Sequence, residues 1–290
     1  MIYDNIHMFL NTGKAALAKG PVALLLIEDL VEIESTIRHH QQLGFAEVLV
    51  LKPASLPLAG DLAQHLHVIN WDAFADDAIE NAVNTIAAAT PPGTWLYYCY
   101  NAEYLMYPFM ESRSITELLA FHSEERRDSM LTYVIDLYAN DLNACPSGVS
   151  LENAWFDKTG YYALAREDAK NHYQPKERQL DFYGGLRWRF EEHVPFLKRT
   201  IGRNALFASA PNLKLLPGHA FNDEEYNTYS CEWHHNLTAA ICSFRAAKAL
   251  RANPGSRDGI RTFTWHNSVK FEWNSQQLLD LGLMEPGQWF

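Results

Sequence analysis

The first 138 residues alternate between two hydrophobic patterns, and this alternation limits the possible folds more than any other feature. "PVALLLI" (21–27) is an unbroken apolar run, read as a strand buried on both faces. "EDLVEIESTIRHHQQLG" (28–44) follows, with Leu30, Ile33, Ile37 and Leu43 near helical spacing and Gly44 as a stop. "AEVLVLKP" (46–53) and "HLHVINW" (65–71) read as the second and third strands. A helix over 76–90 ends at Pro91, Pro92 and Gly93. "TWLYYCY" (94–100) is the next strand, "SITELLAFHSEERRDSM" (114–130) a helix and "LTYVIDLY" (131–138) another strand. Strands separated by helices predict an α/β fold with a mainly parallel central sheet flanked by helices, strand 94–100 lying centrally. Ligands of such sheets bind at the carboxyl ends of the strands.

Beyond about residue 140 the pattern loosens into a polar and aromatic region, too aromatic for a disordered linker. Helical character returns over 184–201, over "NLTAAICSFRAAKALRAN" (236–253) and over 275–284. The expected organisation is one domain over 1–290. A half at about 20–140 carries the ligand-facing sheet, and a helical and irregular half at about 141–290 forms a lid or acceptor region.

The formal net charge of −11 argues against general binding to nucleic acid or to anionic membranes. No apolar run is long enough to span a bilayer, and "MIYDNIHMFLNTGK" lacks a secretory pattern, so a cytoplasmic location is expected. The four cysteines form no CxxC pair, and the sequon at Asn236 reads as chance. GxGxxG after the first strand, GxxxxGK[ST], HExxH and GxSxG are all absent, which disfavours a dinucleotide fold and excludes a P-loop.

The chemistry-bearing residues collect at predicted strand ends. Glu28 and Asp29 follow the first strand, where they could accept hydrogen bonds from a base or ribose, or cap the next helix. Asn101 and Glu103 follow the central strand in "WLYYCYNAEYLMYPF". Their oxygens suit a hard divalent cation; a turn at Asn101 and an arginine partner for Glu103 are the structural alternative. "CEWHH" places Cys231 at C-x₂-H spacing from His234, with His235 adjacent, but no second close pair completes a structural zinc site. His39 and His40 read as helix surface or core.

"VALLLIEDLVEIESTIRHHQQLGFAEVLVL" resembles the opening of family 2-type glycosyltransferases of the GT-A fold. "WLYYCYNAEYLMYPF" falls where that group has "W…DxDEF", its nucleotide-sugar and metal motif. "FYGGLRWRFEEHVPFLK", "GHAF" and "WHHNLTAAICSFRAAKAL" resemble its later blocks, in the same order over most of the chain. The likeness is greatest to a subset of bacterial members that carry "CYNAEYL" itself.

The resemblance implies a nucleotide-sugar donor, a glycan, lipid or protein acceptor, and inverting transfer. It assigns Glu28, Asp29, Tyr100, Asn101, Glu103, Arg187 and Arg189 to the donor, and Glu103 with His219 to Mn²⁺ or Mg²⁺. The motif is degenerate: with Glu103 as its glutamate, Tyr100 and Ala102 stand for both aspartates, and with the register slipped by one, Asn101 and Glu103 stand as an NxE surrogate, so either way at least one carboxylate is lost. Metal dependence is therefore expected to be weak or absent, with arginine forks neutralising the leaving diphosphate. Asp181, Glu191, Glu192, Asp223 and Glu224 lie where the group places its general base, and Asp181 is preferred. The loss of aspartates also suits a glycosyltransferase-like protein that binds nucleotide or glycan without catalysis.

Overall fold

The computed structural model describes residues 1–64, 66–229 and 236–289, the side chain of Asp61 excepted. Its strands are β1 (Ile2–Tyr3), β2 (Val22–Leu26), β3 (Glu47–Lys52), β4 (His67–Asn70), β5 (Trp95–Tyr100), β6 (Glu103–Met106), β7 (Ser129–Asp136), β8 (Tyr138–Ala139), β9 (Ala154–Asp157), β10 (Tyr162–Asp168), β11 (Gln174–Tyr183), β12 (Gly202–Ala208), β13 (Leu215–Leu216), β14 (Ala220–Phe221), β15 (Ala239–Ser243) and β16 (Ser268–Lys270). The helices are α1 (Ile6–Thr12), α2 (Ile33–Gln42), α3 (Gly60–Ala63), α4 (Ala78–Ala89), α5 (Ile115–Glu124), α6 (Gly185–Arg189), α7 (Arg245–Ala252), α8 (Pro254–Arg257) and α9 (Ser275–Asp280). The fold is α/β. Nine strands form a mixed, mostly parallel sheet in the order β1-β4-β3-β2-β5-β12-β7-β15-β6, with β5 in the middle as the alternation predicts.

The chain divides into two compact units that interleave along the sequence. The first comprises 1–104, 112–131 and 204–227. Within it β1, β4, β3, β2 and β5 run parallel, and β12 joins β5 antiparallel. All five residues of β2 are buried, which explains why it reads as an unbroken apolar run. The second unit comprises 105–111, 132–203 and 228–290. It contains the parallel pairing of β15 with β7, the β16-β9-β8 sheet and the bulged β10–β11 hairpin. Tyr138, Leu142, Leu186, Leu250, Ile260 and Phe263 form one of its apolar clusters.

Several sequence-based boundaries are corrected. The helix expected from residue 28 begins at Ile33: the Asp29 carboxylate accepts from the Val31 amide at 2.9 Å, and Glu32 has φ +55°, so the chain turns before it coils. The helix expected over 114–130 ends at Glu124 and is followed by Arg126 at φ +57°, and the next strand starts at Ser129. Residues 236–253 are not one helix. Ala239–Ser243 is a strand buried at every position, and only Arg245–Ala252 is helical. A short apolar run buried on both faces looks the same in either state, and here pairing with β7 decides it. The region expected to be irregular after 140 holds the long β10–β11 hairpin, while 184–201 keeps only a one-turn helix and two 3₁₀ turns.

Candidate functional site

In the first unit the chain steps from β2 out to β3 and then β4, and then returns to place β5 on the other flank of β2. Adjacent parallel strands whose onward connections leave in opposite directions make a topological switch point, where the crevice outside the carboxyl ends receives ligands. Leu26 aligns with Tyr100, so the residues that leave β2 and β5 emerge side by side.

Asn101 ties these two exits together. Its Oδ1 accepts from the Glu28 amide at 2.9 Å, and its Nδ2 donates to Asp29 Oδ1 at 2.7 Å and to the Val31 carbonyl at 2.8 Å. The amide is fully buried, and a buried amide needs such partners. Glu28 and Asp29 are half-buried beside it. Glu103 is also fully buried, and its Oε2 accepts from the Tyr100 amide at 2.9 Å, closing the turn that Ala102 makes at φ +60°. The Ala102 amide donates to Thr36 Oγ1 at 2.8 Å, which anchors the turn to α2. Glu28, Asp29, Tyr100 and Asn101 are thus brought together, and the Glu103 carboxylate is turned back onto its own main chain.

His219 stacks on Tyr98, with ring centroids 5.8 Å apart and Nδ1 3.1 Å from the tyrosine hydroxyl. Among the described residues no group of three or more His, Cys, Asp or Glu side chains could hold a metal ion. Cys231, Trp233, His234 and His235 lie outside the described residues.

Arg187 and Arg189 belong to the second unit, where each meets a buried carboxylate. Arg187 Nε lies 3.4 Å from Asp136, at the end of β7, and its backbone amide donates to the same carboxylate at 3.2 Å. Arg189 Nη1 donates to Asp157 Oδ1 at 3.1 Å, and its guanidinium stacks on Trp265 at 4.5 Å. Asp157 Oδ1 also accepts from Tyr138 at 2.5 Å and from the Trp265 indole at 2.7 Å. Burial, and then the Asp157 charge, push the Tyr138 phenol well above its ordinary pKa. The Gly-Gly block makes this arrangement possible. A Cβ on Gly184 would meet the Tyr161 ring at 2.3 Å, and one on Gly185, at φ +64°, would meet Asp136 Oδ2 at 2.9 Å.

Asp181 lies on β11 and is held by Arg166 across the hairpin at 2.8 Å. Its side chain keeps 27% exposure. Glu191 pairs with Arg199, and Glu192 lies 3.6 Å from His193. Asp223 caps the Glu225 amide within the first unit.

Sequence reasoning missed Asp136, Asp157 and Lys52. Asp136 and Lys52 each end a strand, the same signal that singled out Asn101. Asp157 ends β9, a strand that the irregular reading of that region hid.

No protein-family model matches the chain, and a search of curated proteins gives no match either.

Proposed function

We propose that this chain is a GT-A-type glycosyltransferase that moves a sugar from a nucleotide donor to a glycan, lipid or protein acceptor with inversion. The observation that carries this reading is the coincidence of the switch point between β2 and β5 with the Glu28–Asp29–Asn101 constellation. Glu28 and Asp29 are half-buried residues whose carboxylates suit the hydroxyl and N–H donors of a ribose or base, and Asn101 and the Val31 amide hold Asp29 Oδ1 and the loop in place. The order of sequence blocks supplies the nucleotide-sugar identity. The resemblance gives Asp181 the role of general base; within the second unit Arg166 holds its carboxylate at 2.8 Å. The commitment of Glu103 to the Tyr100 amide supports weak or absent metal dependence. No helix among the described residues is long and apolar enough to cross a membrane. The reading carries a cytoplasmic location, at the inner membrane face if the acceptor is a lipid.

A second reading, a binder of nucleotide or glycan without catalysis, is favoured by one specific observation. Glu103, Arg187 and Arg189 all face partners within the protein.

Calorimetric titration with UDP, GDP and their sugar conjugates, with Mn²⁺ and with EDTA, tests the proposal. One nucleotide diphosphate is expected to bind in EDTA, and its sugar conjugate to be hydrolysed slowly. Binding without hydrolysis or transfer selects the second reading. Binding that needs Mn²⁺ and disappears in Glu103→Ala overturns the metal-independent form. Failure of every nucleotide to bind overturns the transferase reading and the nucleotide form of the second.

A further inference from the structure

The carboxyl edge of the first unit carries a cation that the resemblance does not account for. Lys52 is the last residue of β3, directly beside β2 on the flank away from β5. It pairs in register with Asn70 of β4, so both side chains leave the same face of the sheet. Lys52 is only 7% exposed. Its Nζ donates to the Pro53 carbonyl at 3.1 Å and to the Leu56 carbonyl at 2.6 Å. Those two neutral oxygens are its hydrogen-bond partners, and no carboxylate lies within ion-pair distance of it among the described residues.

A buried ammonium without a counter-charge is costly, in a chain whose net charge of −11 offers many carboxylates that could have been placed beside it. An ammonium has three N–H donors, and two are used. The Pro53–Leu56 turn, closed by the Leu56 amide on the Pro53 carbonyl at 3.1 Å, aims both carbonyls at Nζ and holds it in place. Glu103, Arg187 and Arg189 are meanwhile engaged inside the protein, so the expected neutralisers of a ligand's phosphates have other partners.

We propose that Lys52 is the anion-binding residue of the carboxyl-edge site, where its third N–H donates to a phosphate oxygen of the bound ligand. The inference rests on the nucleotide-sugar reading for the source of that phosphate. Lys52 then does for the ligand's charge what a divalent cation does in a site with intact aspartates. Burial lowers the Lys52 pKa, and an arriving anion reverses that effect by favouring the charged form.

The test compares wild type, Lys52→Met and Lys52→Gln by calorimetry and thermal shift, with UDP, GDP, inorganic pyrophosphate, uridine and guanosine as probes. Lys52→Met removes an uncompensated buried charge at similar volume, so it is expected to fold with an unchanged or higher melting temperature. Lys52→Gln provides a second, polar replacement. The expected result is a loss of about ten-fold to a hundred-fold in diphosphate affinity in both variants, as for one charge-assisted hydrogen bond. Nucleoside affinity stays the same, and pyrophosphate stabilises wild type only. If a diphosphate binds the variants as tightly as wild type, the Lys52 inference is overturned and the nucleotide reading stands. If pyrophosphate binds through Lys52 while no nucleotide or nucleoside binds, the nucleotide-sugar reading fails and Lys52 keeps its role. If neither pyrophosphate nor any nucleotide binds wild type, both fail.

Discussion

Lowering the pH from 8 to 5 should destabilise this protein through two buried histidines. His40 is fully buried on α2; its Nδ1 lies 2.8 Å from the Thr36 carbonyl and its ring stacks on Tyr97 at 5.2 Å. Burial, and then the neighbouring His39, push its pKa down from 6.5 to about 3. His122 on α5 is nearly as buried, with Nε2 2.8 Å from the Ser129 carbonyl, and burial pushes its pKa down to about 4. Each native ring refuses a proton that the unfolded chain accepts below pH 6.5. The unfolded state therefore binds more protons, and stability is lost as pH falls through that window. At pH 5 both native rings are still neutral, so each costs about 2 kcal/mol relative to pH 8, and the pair about 4 kcal/mol. That is a large part of the ~5–15 kcal/mol stability of an ordinary domain. His40→Asn and His122→Gln retain an N–H at the bonded position and cannot titrate. Urea unfolding at pH 8 and pH 5 should show the pH difference shrinking by about 2 kcal/mol in each variant and by about 4 kcal/mol in the double variant. The comparison uses the pH difference because His40→Asn also loses the Tyr97 stack at every pH. A double variant with the wild-type pH difference would refute the reasoning.

Two further predictions concern the buried polar groups. Asn101→Ala should cost about 2–4 kcal/mol, because the Glu28 amide and the Val31 carbonyl lose their buried partner; a melting temperature within a degree of wild type would contradict this. Arg189→Met should cost about 3–5 kcal/mol by leaving the buried Asp157 carboxylate without its counter-charge, and adding Asp157→Asn should recover much of the loss in a denaturant titration.

The sequence by itself determined the mainly parallel α/β frame and where its strands end. Every residue of β2 is buried on a sheet covered on both faces, so its burial is written as an unbroken apolar run. The order β4-β3-β2-β5, in which the chain returns past β3 and β2 to place β5, is set by the tertiary fold, whereas the strand ends fall where Pro, Gly, Asn and acidic residues begin. Residues Glu28, Asp29 and Asn101 were legible for that reason. The state of 239–243 was not, since "AAIC" is apolar in either period and only pairing with β7 selects a strand. Nor did composition reveal which charges face partners inside the protein. Arg187 and Arg189 in "GGLRWRF" read from sequence as partners of a ligand's diphosphate, yet their carboxylates come from 51 and 32 residues upstream in the same chain. Lys52 looks like an ordinary lysine after a strand, and only the fold buries it among carbonyls. Hydrophobic period is a local property of the chain, whereas the electrostatic surroundings of a charge are set by segments that meet only when the chain folds.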